Sequence, residues 1–149
     1  MKKIVFLDID GVLNSYRSVI AYGVYPIDNT SSENFDMVAV GLIREACKKC
    51  HAQIVLSSTW RLYRGWENLK TVLDLPIIDK TPKKLSSIRG EEIWLWLDEN
   101  KVDKYVIVDD STDILKCQQS YYVQVDPYEG LAWKDYAKIL KILGIEEEE

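Results

Sequence analysis

Two carboxylates two residues apart, Asp8 and Asp10, close the apolar run Lys3–Leu7. In an extended chain, residues two apart share a face, so both acids point the same way while Ile9 turns into the core. Like charges held that close raise a pKa or require a cation. Two more acids, Asp109 and Asp110, end the apolar run at residues 104–108, with Asp113 one turn on. A third run, Ala52–Leu56, is followed by Ser57, Ser58, Thr59, Trp60 and Arg61. Four acids suit a hard cation such as Mg²⁺, which takes carboxylate oxygens and water and often shares its sphere with a phosphate. Hydroxyls and neighbouring bases suit phosphoryl oxygens. A carboxylate can attack phosphorus to give an acyl phosphate. A second acid can protonate the leaving oxygen and then activate water.

These clusters must be brought together by the elements that carry them. Residues 2–7 read as a first strand, and residues 15–33 as a polar loop or small flap. Residues 34–50 place Phe35, Val38, Leu42, Ile43 and Ala46 at helical spacing. Ala52–Leu56 is a second strand. Residues 65–73 form a short helix, 75–78 a short strand and 81–87 a polar loop. A helix over 91–100 leads to a buried strand at 104–108. Residues 113–119 suggest a helix and 121–125 a strand. The last helix spans 131–143 and stops at Gly144. Strands separated by helices predict an α/β fold: one Rossmann-like, doubly wound domain of mainly parallel strands. Active sites in such sheets lie at the carboxyl ends of the strands, which is where all three clusters fall.

The chain has 149 residues, enough for one domain with a real core. Its net charge of −5 includes four C-terminal Glu, so the body without them stands at −1. That gives no broad basic field for gripping nucleic acid, although a local groove is compatible with it. Residues 1–145 are expected to form the domain and 146–149 a disordered acidic tail. No apolar run reaches the length of a membrane span, and the expected compartment is the cytoplasm. Three cysteines imply no disulfide framework.

The motifs resemble those of the haloacid dehalogenase-like (HAD) phosphohydrolases. The first family motif, DxDG[TV], stands here as Asp8-Ile9-Asp10-Gly11-Val12. The second, an apolar strand ending in Ser or Thr, stands as Ile54-Val55-Leu56-Ser57. The fourth, a strand ending in two acids, stands as Val106-Ile107-Val108-Asp109-Asp110. The resemblance implies Asp8 as nucleophile, Asp10 as general acid/base, Ser57 as phosphate ligand, and a Mg²⁺ site drawn from Asp8, Asp10, Asp109 and Asp110. The family's third motif is a Lys near a helix start. Lys80, Lys83, Lys84 and Arg89 lie in that interval, and Arg89 is favoured because it leads directly into the next helix. If Arg89 only pairs with a nearby Glu, the phosphate contact passes to Lys83 or Lys84. Ser58, Arg61 and Lys84 join Ser57 and Arg89 as candidate phosphate ligands.

The arrangement of SSTWR, RGEEIWLWL, VDD and VDPYEGL is similar to the compact HAD domains of RNA-repair proteins and, more distantly, to polynucleotide phosphatase modules. The gaps at residues 14–34 and 62–88 hold no large cap, which implies an open site. Such a site suits a nucleotide or a phosphorylated nucleic-acid end, although a phosphoprotein remains an alternative. Tyr16, Tyr22, Tyr25, Trp60, Tyr63 and Trp66 fall near the site, where they either stack a base or cover the sheet edge.

Other readings fare less well. A phospho-accepting receiver module carries its acid pair early and its phosphorylated Asp on a middle strand, an order this chain lacks. A HAD-like binding protein without catalysis would not need the full set of acids. Cys47-Lys48-Lys49-Cys50-His51 fits a haem-attachment pattern, but it lies at a helix end with no export signal. Trp94 and Trp96, two apart on one helix, cannot share a face, so one belongs to the core and the other to the surface.

Overall fold

The computed structural model describes residues 1–84 and 87–147. Five strands, β1 (Lys3–Leu7), β2 (Ala52–Leu56), β3 (Ile77–Lys80), β4 (Lys104–Asp109) and β5 (Tyr122–Gln124), form one sheet in the order β3-β2-β1-β4-β5. Every pairing is parallel. The chain winds outward from β1 through β2 to β3, then crosses back to β4 beside β1. The switch point therefore lies between β1 and β4.

Strand periodicity explains the two layers. All five residues of β1 are buried. Val5 and Leu7 join one apolar cluster with the helices α2 (Met37–Cys50), α3 (Asn68–Val72) and α5 (Trp133–Leu143). Ile4 and Phe6, on the other face, pack with Ile93 and Trp96 of α4 (Arg89–Glu99). Each fully buried side chain of this size contributes about 1.5–3 kcal/mol of transfer free energy.

The helix α2 starts where Asp36 accepts hydrogen bonds from the Val38 and Ala39 backbone N–H groups. It buries Ala39, Val40, Ile43, Ala46, Cys47 and Cys50, and ends at His51 in the left-handed conformation. Burial pushes the Cys47 thiol up to about 12. Trp96 is in the core and Trp94 is half exposed, as their spacing requires.

Several boundaries differ from the sequence expectations. The presumed loop at 15–33 contains a seven-residue helix, α1 (Tyr16–Tyr22), capped by Ser15 and stopped by Gly23. The strand expected at 75–78 begins at Ile77 and runs to Lys80, because Pro76 precedes it. The helix expected from residue 91 begins at Arg89. The helix expected at 113–119 is a 3₁₀ turn at Lys116–Tyr121. Glu146, assigned to the acidic tail, is held against the body: it lies 2.9 Å from the buried Lys3 ammonium and 2.7 Å from His51 Nδ1. Leu85 and Ser86 of the loop expected at 81–87, and Glu148 and Glu149 of the tail, lie outside the described residues.

Candidate active site

Strand register assembles the site. Leu7 is level with Leu56 on one side and with Val108 on the other. The next residue of each strand, Asp8, Ser57 and Asp109, therefore falls in one row across the three central strands. The row is fixed by hydrogen bonds from Asp8 N to Val108 O (3.0 Å) and from Ser57 N to Leu7 O (3.1 Å).

Oxygens of Asp8, Asp109 and Asp110 lie within 4.8 Å of one another. Asp110 is brought in over Gly11, whose φ of +84° opens a turn after β1 and leaves space for the Asp110 carboxylate. The Asp8 carboxyl is pushed well above the ordinary carboxylate range, mainly by burial and then by Asp109, with Arg89 opposing. Burial also raises Asp109, again against Arg89. A divalent cation relieves this crowding of like charges.

Arg89, at the start of α4, supplies the nearest positive charge. Its Nη1 lies 2.6 Å from Asp109 Oδ2 and 3.2 Å from Asp8 Oδ1. Burial opposes its charge, but Asp8 and Asp109 hold its pKa above the ordinary value. Of the four candidates for the third motif, Arg89 is the one that touches the carboxylates. Lys80 instead reaches the Arg61 carbonyl and lies over the Trp66 ring. Lys84 donates its backbone N–H to Glu92, and its side chain is exposed.

Ser57 Oγ is buried with no hydrogen-bond partner among the described residues. A buried polar atom left in that state is unusual and calls for a ligand or water. Ser58 faces a different task, accepting from Trp60 N at 3.2 Å to cap the 3₁₀ turn Thr59–Leu62.

Arg61 corrects the sequence reading. It is buried, and its five N–H donors go to the carbonyls of Ser57, Ser58, Thr81 and Pro82 and to Glu92 Oε1. No donor remains for a phosphate. Arg61 and Glu92 instead clamp the segment after β2 to α4, and so fix the backbone on which Ser57 rides.

Asp10 also departs from expectation. Its side chain stands outside the carboxylate triplet of Asp8, Asp109 and Asp110. Its Oδ1 accepts from Asn14 Nδ2 (3.1 Å) and from the Trp60 indole N–H (3.0 Å). Sequence reasoning missed both partners. Asn14 lies one helical turn beyond Asp10, a usable signal, but the contact with Trp60 spans fifty residues. From β5, the Tyr122 hydroxyl donates to the Ser111 carbonyl and steadies the turn after Asp109.

A surface groove of about 760 Å³ is lined by Arg44, Lys48, Ala52 and Lys70 at the amino end of β2, the opposite edge of the sheet. It takes no part in the carboxylate site.

The motif strands, the row of site residues and the uncapped sheet agree with one family, described as the HAD domain in Swiss Army Knife RNA repair proteins, which matches residues 4–136. The chain belongs to this family. That places it among HAD-type phosphohydrolases at the superfamily level. No curated protein and no solved structure matches it. No helix among the described residues of this HAD domain is long and apolar enough to cross a membrane.

Proposed function

We propose that this HAD domain is a Mg²⁺-dependent phosphomonoesterase working through an aspartyl-phosphate intermediate on Asp8. Its substrate is a nucleotide or a phosphorylated nucleic-acid end. The carrying observation is the row itself: a buried, unpartnered Ser57 hydroxyl level with Asp8, beside three carboxylates within 4.8 Å. The donor set is all oxygen, which fits Mg²⁺. Asp8, Asp109 and Asp110 would hold the ion, and it would neutralise charge between nucleophile and phosphate.

The chain's own groups account for the remaining steps. An Asp8 oxygen attacks phosphorus, and the ester P–O bond breaks. Ser57 donates to a phosphoryl oxygen, and Arg89 offers its planar fork to the same group. Arg89 cannot act as a proton donor at working pH. That role falls to Asp10, whose Oδ1 is held by Asn14 and Trp60, leaving Oδ2 to carry the proton. Asp10 gives this proton to the leaving oxygen. It then takes one from the water that attacks phosphorus, which releases phosphate and restores Asp8.

The open sheet edge and the family's description favour a nucleic-acid-derived substrate. The test is turnover of an aryl phosphate with and without Mg²⁺, followed by 3′- and 5′-phosphorylated oligonucleotides, nucleotides and phosphopeptides. The expected result is strictly Mg²⁺-dependent hydrolysis, fastest on a nucleotide or oligonucleotide. Metal-independent turnover, or faster turnover of phosphopeptides, contradicts the proposal.

A further inference from the structure

Beside Asp10 the surface opens into a cavity of about 150 Å³, lined by Asp10, Asn14, Tyr16, Tyr25, Asp110 and Pro127 among others. It is smaller than the roughly 300–1,000 Å³ that engulfs a whole drug-sized ligand, so it fits one ring system and not a folded chain. Neither tyrosine ring belongs to the core: Tyr16 is 51% exposed and Tyr25 is 48% exposed.

The Tyr16 wall is set before any ligand arrives. Its ring stacks on Tyr128 with centroids 4.9 Å apart and planes 30° apart. Its backbone N–H donates to Pro127 O at 3.1 Å, and Arg17 N donates to Tyr128 O at 3.0 Å. The first turn of α1 is further fixed by the reciprocal Ser15–Ser18 cap. Two half-exposed aromatic rings thus border a cavity whose other wall is the residue that protonates the leaving group.

We propose that this cavity is the leaving-group subsite and that it takes the heteroaromatic base of a nucleoside. Asp10 occupies the boundary, so the group that departs must lie on its side of the phosphorus. Half-exposed tyrosine rings at a cavity wall suit stacking, which tolerates any base. A nucleoside is the occupant that the proposed nucleotide substrate calls for, and a tyrosyl side chain is the alternative that phenyl phosphate tests.

The assignment rests on the phosphatase reading for its orientation, but its test does not need turnover. Binding of a nucleoside 5′-monophosphate, ribose 5-phosphate and phenyl phosphate is measured by calorimetry on the Asp8→Asn protein with Mg²⁺. The nucleotide is expected to bind about tenfold tighter than ribose 5-phosphate, the worth of one stacked base, with phenyl phosphate no better than ribose 5-phosphate. Adding Tyr25→Ala or Tyr16→Ala removes that advantage, while Trp94→Ala on α4 keeps it. Equal binding of nucleotide and sugar phosphate overturns the proposal. So does a preference that survives Tyr25→Ala, or phenyl phosphate matching the nucleotide. Failure of the phosphatase reading shows separately, as absent hydrolysis by the wild-type protein, and leaves the binding comparison intact.

Discussion

A Cβ placed on Gly11 would fall 2.3 Å from Asp110 Oδ2, in a backbone whose φ of +84° already disfavours other residues. Gly11→Ala therefore forces Asp110 out of the triplet. Urea denaturation should show a loss of about 1–3 kcal/mol, from the strained conformation, and Mg²⁺ titration should show weakened binding. The indole of Trp60 makes a different contribution. Trp60→Phe keeps most of the packing against Phe35 but removes the N–H that orients Asp10. Roughly tenfold lower kcat is expected, with a larger loss on esters whose leaving groups are poor and need the proton most. Asp8, Ser57 and Asp109 were legible in the sequence because each directly follows an apolar strand, and parallel strands align such ends. The partners of Asp10 were not, since a hydrogen bond across fifty residues depends on where the turn after β2 meets the turn after β1. Arg61 misled for the same reason: its position after the second motif placed it near a phosphate, but burial turned its donors onto carbonyls.

At the scale of elements, the Arg61–Glu92 pair joins the segment after β2 to α4 at 3.0 Å, with both side chains buried. Removing one partner of a buried pair leaves an uncompensated charge, which costs about 3–5 kcal/mol. Arg61→Met should destabilise by that order in urea denaturation, and the double change Arg61→Met with Glu92→Leu should recover only the part due to the unpaired carboxylate, since the carbonyls of Ser57, Ser58, Thr81 and Pro82 still lose their donor. Phosphate affinity should fall in both variants, because Arg61 holds Ser57 through its backbone carbonyl and both lack that contact. The start of α4 shows how local signals compete. Glu91 and Glu92 lie in its first turn, where acidic side chains favour the helix amino end. The observed helix begins two residues earlier, and Arg89 gains a rigid mounting next to Asp8 and Asp109. The sequence of α1 reads as loop because it lies in a polar, Tyr-containing segment broken by Gly23 and Pro26, and the helix buries Ser18 alone. Only its cap at Ser15 and stop at Gly23 announced it.

At the scale of the whole molecule, the parallel order β3-β2-β1-β4-β5 puts every cluster at one edge, as strands alternating with helices predicted. The raised carboxyls of Asp8 and Asp109 tie stability to pH. Between their unfolded and folded pKa values the folded chain binds more protons than the unfolded chain. Stability of the metal-free protein from this source is thus fullest at low pH and is lost as pH rises through that window. A bound cation reverses the sign, since it competes with those protons. The rise in melting temperature caused by Mg²⁺ should therefore grow from mildly acidic to neutral pH, as measured by calorimetry.

The central claim is that Asp8 is the nucleophile. The direct measurement is rapid acid quench of the protein turning over an aryl phosphate with Mg²⁺, followed by mass spectrometry of its peptides. The account predicts a hydroxylamine-sensitive phosphate on the peptide bearing Asp8, absent from Asp8→Asn, which also loses turnover. Hydrolysis at full rate by Asp8→Asn, or a covalent phosphate on any other residue, would contradict it.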